Sequence, residues 1–122
     1  MRPPIFVWQP NELLVFDSVE WAEQWTEPYD VDEGVVYDAE GRLLAFELEG
    51  PGPVPEKRVV LHAREPDPTH EKELRTAIIQ VSLAAGTKLD PSASLEQLIE
   101  PALARFCIPP PKRRRRRFAK RS

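Results

Sequence analysis

Gly34-Val35-Val36-Tyr37-Asp38-Ala39-Glu40-Gly41-Arg42-Leu43-Leu44-Ala45-Phe46-Glu47-Leu48-Glu49 decides the fold class. Gly34 to Asp38 is dominated by β-branched and aromatic residues and predicts a strand. Asp38-Ala39-Glu40-Gly41 has the acidic start and closing glycine of a turn. From Arg42 to Glu49 the pattern alternates: Leu44, Phe46 and Leu48 share one side, Ala45, Glu47 and Glu49 the other. That is the period of a half-buried strand. Strands joined by so short a turn run antiparallel, because a parallel return needs a crossover of a dozen residues or more.

Working toward the N-terminus, Ile5 to Trp8 and Leu13 to Phe16 are β-prone runs divided by Gln9-Pro10-Asn11-Glu12, which predicts a first hairpin. Asp17-Ser18-Val19-Glu20 has the spacing of a capping box, with Asp17 as N-cap and Glu20 reaching back. Phe16 and Trp21 fit a hydrophobic staple, Val19, Ala22 and Trp25 form a stripe, and Pro28 ends the helix. Toward the C-terminus, Gly50-Pro51-Gly52-Pro53-Val54-Pro55 is a stiff loop that cannot pair, and Arg58 to Ala63 resumes as a strand. Asp67-Pro68 opens a helix whose stripe is Leu74, Ala77, Ile78, Val81, Ala84 and Ala85, closed by Gly86. Ser94 and Gln97 cap a last helix with Leu95, Leu98 and Ile99, in which Pro101 predicts a kink or a restart before Phe106. Pro109-Pro110-Pro111 ends regular structure. The order is ββαβββαα. The expected fold is α+β, a mainly antiparallel sheet of about five strands with helices on one face. One domain spans 1–108, and 109–122 form a Pro-initiated, Arg-rich disordered tail.

The net charge of −3 conceals two opposed objects. The tail carries eight of the seventeen basic residues, whereas residues 1–111 hold nine basic against all twenty acidic ones, a formal −11. Each part should attract partners of opposite sign. Cys107 is the one cysteine, so no intramolecular disulfide can form. The N-terminus lacks the apolar stretch and cleavage site of a signal peptide, and no apolar run approaches the roughly 18 residues of a span. The expected compartment is the cytoplasm.

The residues for catalysis are scarce. Cys107 sits between Arg105-Phe106 and Ile108, the setting of an inert thiol. His62 alternates within a strand and His70 opens a helix, and no zinc-ligand spacing is present. Gly50-Pro51-Gly52-Pro53 superficially resembles a phosphate loop, but its prolines remove the amides such a loop offers. Asp30-x-Asp32-Glu33 lacks the glycine and glutamate that complete a calcium loop. The expectation is a non-catalytic chain with no cofactor and no metal. The strongest constellation is instead one of aromatics among acids: Trp25, Tyr29, Asp30, Asp32, Glu33, Asp38 and Glu40. Rings rimmed by charge supply desolvated area at little entropic cost, as protein interfaces favour. A second candidate is the run Lys112, Arg113, Arg114, Arg115, Arg116, Arg117, Lys120 and Arg121, which would bind nucleic-acid phosphates with steep salt dependence.

Val15-Phe16-Asp17-Ser18-Val19-Glu20-Trp21-Ala22-Glu23, Glu27-Pro28-Tyr29-Asp30-Val31-Asp32 and Val36-Tyr37-Asp38-Ala39-Glu40-Gly41-Arg42-Leu43-Leu44 together carry a resemblance. The chain resembles small bacterial proteins of the immunity type found beside secreted polymorphic toxins. Their pattern is a strand ending FDS, a short helix, an acidic EPxDV segment and a YDxEGRxL hairpin. The match covers about a quarter of the chain and its motifs are structural. What the resemblance implies is inhibition by binding, the protein covering a toxin's active surface. A body at −11 would be steered onto a basic toxin. The alternative is a nucleic-acid-associated accessory protein that binds through the arginine-rich tail.

Overall fold

The computed structural model describes residues 1–10 and 12–111. Five strands, β1 (Ile5–Gln9), β2 (Glu12–Phe16), β3 (Val35–Tyr37), β4 (Leu43–Glu49) and β5 (Arg58–Ala63), form one sheet in the order β2-β1-β3-β4-β5. Every neighbouring pair is antiparallel. Helix α1 (Val19–Trp25) follows β2, and α2 (Glu71–Ala84) and α3 (Leu95–Phe106) follow β5. Short 3₁₀ turns occupy Pro28–Asp30 and Val54–Glu56, the second within the proline-rich loop. The α+β class and the antiparallel sheet are those expected from the alternation in β4. Among the described residues no helix is long and apolar enough to cross a membrane.

Strand alternation splits the core into two clusters. Phe6, Leu13, Val15 and Tyr37 face α2 and α3, meeting Leu74, Ile78, Leu98 and Ala102. Ile5, Val7, Leu14, Phe16, Val36, Leu44, Phe46, Val59 and Leu61 point the opposite way and gather beneath α1. The two long helices thus share one face and the short one covers the other, where all helices were expected on one face. The physical reason is that β1, β2 and β3 are apolar on both sides, so each face needs a cover. Helix α1 packs against both β2 and β5, the two edge strands. The sheet therefore curls around this side and makes it concave.

Both edges receive a partner as a result. The Leu61 amide donates to Glu23 Oε2 on α1 at 2.8 Å. On the far side, Cys107 forms a parallel bridge with Val15, and the Ile108 amide donates to the Val15 carbonyl at 2.8 Å. Trp21 clamps that segment: its indole N–H donates to the Ile108 carbonyl at 2.7 Å, and its ring meets Phe16 edge-on at 6.4 Å.

The N-cap of α1 is Ser18, not Asp17. The Trp21 amide donates to Ser18 Oγ at 3.0 Å, which makes Trp21, not Glu20, the third helical residue. Strand β2 pairs through Phe16, so Asp17 is needed for the exit from the sheet and the next capping side chain takes over. Ser18→Ala should therefore lower stability by roughly 0.5–2 kcal/mol in chemical denaturation, whereas Asp17→Ala should stay within about 0.5 kcal/mol.

The start of α2 also differs from expectation. His70, not Asp67, is the N-cap residue, and Asp67-Pro68 lie in the preceding loop. Glu65 explains the shift. Its carboxylate accepts from the Thr69 hydroxyl at 2.6 Å and from the Leu43 amide at 2.9 Å, and lies 2.9 Å from His70 Nδ1. These bonds wind the chain around the carboxylate before the helix begins. The Thr69 hydroxyl first, then the Leu43 amide, hold the Glu65 carboxyl down at about 2. Helix α3 starts as expected, with reciprocal bonds between Ser94 and Gln97. It runs unbroken through Pro101, whose exposed position leaves the unpaired carbonyl one turn earlier to water.

Candidate functional site

Three of the candidate residues, Trp25, Asp30 and Glu33, meet at the mouth of the concave face, with Tyr29 and Asp32 on the turn between them. Trp25 ends α1, its ring leaning on Phe16 at 5.4 Å, and it remains 42% exposed. The chain then turns through Pro28–Asp30, which presents Tyr29 at 70% exposure, the most open of the large apolar side chains among the described residues. The Asp30 amide donates to the Glu27 carbonyl at 2.8 Å and the Glu33 amide to the Asp30 carbonyl at 3.0 Å. These two bonds set Asp30 and Glu33 one turn apart. Gly34 returns the chain to the sheet with φ of 86°, where an added Cβ would lie 2.9 Å from the Trp8 carbonyl oxygen. A side chain there would push the acidic turn off the sheet.

Behind this rim lies a hollow of about 200 Å³. Val7, Leu14, Phe16 and Phe46 line its apolar depth. Trp25 and Thr26 form a wall, and Asp30 and Glu33 reach it from the acidic turn. Asp32, on the other side of the turn, lines a separate depression that it shares with Arg64. The sequence identified the rim because Trp25, Asp30 and Glu33 are close along the chain. It missed the lining, which three different strands supply. The one available signal was the parity that sets Phe46 opposite Glu47 in β4.

The other two candidates belong elsewhere. Asp38 is 0% exposed, so it is removed from the partner-contact set. Its Oδ1 accepts from the amides of Glu40 and Arg42, both at 2.9 Å. Its Oδ2 accepts from the Arg2 amide at 3.2 Å and from Arg42 Nη1 at 2.8 Å. This carboxylate organises the β3–β4 turn and the N-terminal segment. Glu40 is partly exposed and lies 3.3 Å from Arg42 Nη1 and 3.7 Å from Arg2 Nη1. Both sit beyond the far end of β3 from Glu33, roughly 15 Å away at the rise of an extended strand. Gly41 in the same turn has φ of 85°, and a Cβ there would meet the Glu71 backbone at 2.5 Å, so only glycine lets α2 approach.

No protein-family profile, curated protein or solved structure matches this chain. Cys107 lies on the β2 edge, where burial and then the Asp17 carboxylate push its thiol up. His62 Nε2 lies 3.1 Å from Glu49 on β4, and His70 lies beside Glu65 before α2. These three side chains occupy separate settings. Among the described residues no group of three or more His, Cys, Asp or Glu is placed to hold a metal ion. The basic candidates Lys112, Arg113 to Arg117, Lys120 and Arg121 lie outside the described residues.

Proposed function

We propose that this chain is a non-catalytic, cytoplasmic binding protein, and specifically an immunity protein that occludes a basic surface of a toxin. The observation that carries the reading is the rim itself. Trp25, Asp30 and Glu33 border a hollow with an apolar floor, and Tyr29 stands exposed on the same turn. Exposed rings beside carboxylates supply area and charge selection together. The formal −11 of residues 1–111 adds long-range attraction for a basic partner.

The test is a protection assay against the toxin encoded beside the protein, together with association kinetics. Reversing Asp30, Asp32 and Glu33 to lysine should slow association by about tenfold or more at low ionic strength. The variant should also show a flatter dependence on salt, with stability nearly unchanged because all three residues are exposed. Unchanged kinetics would remove the rim from recognition. The second reading, binding of nucleic acid, is favoured by the five consecutive arginines of the tail. It requires salt-sensitive gel shifts that vanish when residues 112–122 are deleted. The acidic reversal should strengthen those shifts.

A further inference from the structure

We infer that the hollow behind Trp25 is a socket for a single arginine side chain of the protein partner. The inference rests on the binding reading above and specifies its chemistry. Size limits the occupant first. At about 200 Å³ the hollow falls below the roughly 300–1,000 Å³ of sites that enclose a drug-sized ligand. One long side chain fits it.

Lining chemistry then selects which side chain. Leu14, Phe16 and Phe46 offer apolar walls for methylene groups. A purely apolar occupant would desolvate the carboxylates of Asp30 and Glu33 with nothing in return, a costly outcome. Those carboxylates take part in none of the ion pairs formed among the described residues. The indole of Trp25 leans on Phe16 and keeps part of its surface open. A guanidinium meets all these conditions at once. It is planar and stacks on indole, its several N–H groups serve two carboxylates, and its stem is apolar. An ammonium satisfies the charge but not the stacking.

The experiment titrates the isotope-labelled full chain with the blocked tripeptide acetyl-Gly-Arg-Gly-amide at low ionic strength. Parallel titrations use the lysine and citrulline versions, citrulline being the neutral near-isostere of arginine. The arginine peptide should shift the Trp25 indole N–H and the Thr26 and Glu33 amides in a saturable way. The citrulline peptide should bind at least about tenfold more weakly, with lysine between them. Trp25→Leu should weaken the arginine peptide by about threefold or more through loss of the cation–π contact. The pair Asp30→Asn and Glu33→Gln should do so more strongly. Equal responses to arginine and citrulline would overturn the socket. So would shifts centred on Glu47, Glu49 and His62, or indifference to the Asp30 and Glu33 changes. Peptide binding without toxin protection leaves the socket standing and removes the immunity reading. Protection that persists undiminished in Trp25→Leu, with no peptide binding, removes the socket alone.

Discussion

Replacing Asp38 by alanine is expected to cost about 3–5 kcal/mol, the range for removing one member of a buried ionic pair. Four donors converge on this carboxylate: the amides of Arg2, Glu40 and Arg42, and the Arg42 guanidinium. Alanine leaves the amides of Arg2, Glu40 and Arg42 without this acceptor, and Arg42 Nη1 keeps only its longer 3.3 Å bond to Glu40 Oε1. Asp38→Asn should lose less, because one oxygen still serves the Glu40 and Arg42 amides while the new NH₂ faces two donors. Denaturant titration checks the order alanine, asparagine, wild type. Folded Asp38→Ala protein should bind its partner normally. A variant of wild-type stability with lost binding would instead return Asp38 to the contact surface.

The second large effect is expected at Trp21. Truncation of a core aromatic costs about 3–5 kcal/mol, and Trp21→Ala should fall near the lower end because the ring is half-buried. Trp21→Phe preserves the edge-on contact with Phe16 but deletes the indole bond to the Ile108 carbonyl. It should cost about 0.5–1.5 kcal/mol, the net worth of one hydrogen bond. Hydrogen exchange supplies a local check. The Ile108 amide, bonded to Val15, should exchange faster in both variants than in wild type, relative to amides at the centre of β1. Truncation after Ile108 should leave the melting temperature within a few degrees, whereas truncation after Phe106 should reproduce the loss expected for Trp21→Ala.

Much of this fold is written in local pattern. The alternation Leu44, Phe46, Leu48 predicts β4, and Phe46 and Leu48 pair with Leu61 and Val59 of β5. The Ser94–Gln97 box and the closing Gly86 mark helix ends where they occur. Errors arise where a distant residue chooses between locally equivalent options. Asp17 and Ser18 are both good caps, and the length of the β1–β2 pairing decides between them. Asp67-Pro68 is a plausible helix start, but Glu65 captures the chain first. A stripe on a seven-residue helix does not encode which sheet face it covers. Asp38 shows the limit most plainly. An acidic residue in a turn looks solvated until Arg2 arrives from 36 positions away. The candidate rim was legible because it is local, and its lining was not, because β1, β2 and β4 build it.

The covered strand edges have a consequence for the protein at high concentration. A five-stranded sheet with open flanks is a template on which copies can stack edge to edge into fibres. Here a carboxylate occupies the Leu61 amide on one flank, and the chain's own Cys107–Ile108 segment closes part of the other. A second molecule would have to strip a half-buried tether from β2, or displace a charged group from β5, before its first ladder bond formed. The obstacle to edge-to-edge stacking is thus two small local closures, Glu23 and Ile108, and neither of them lines the hollow.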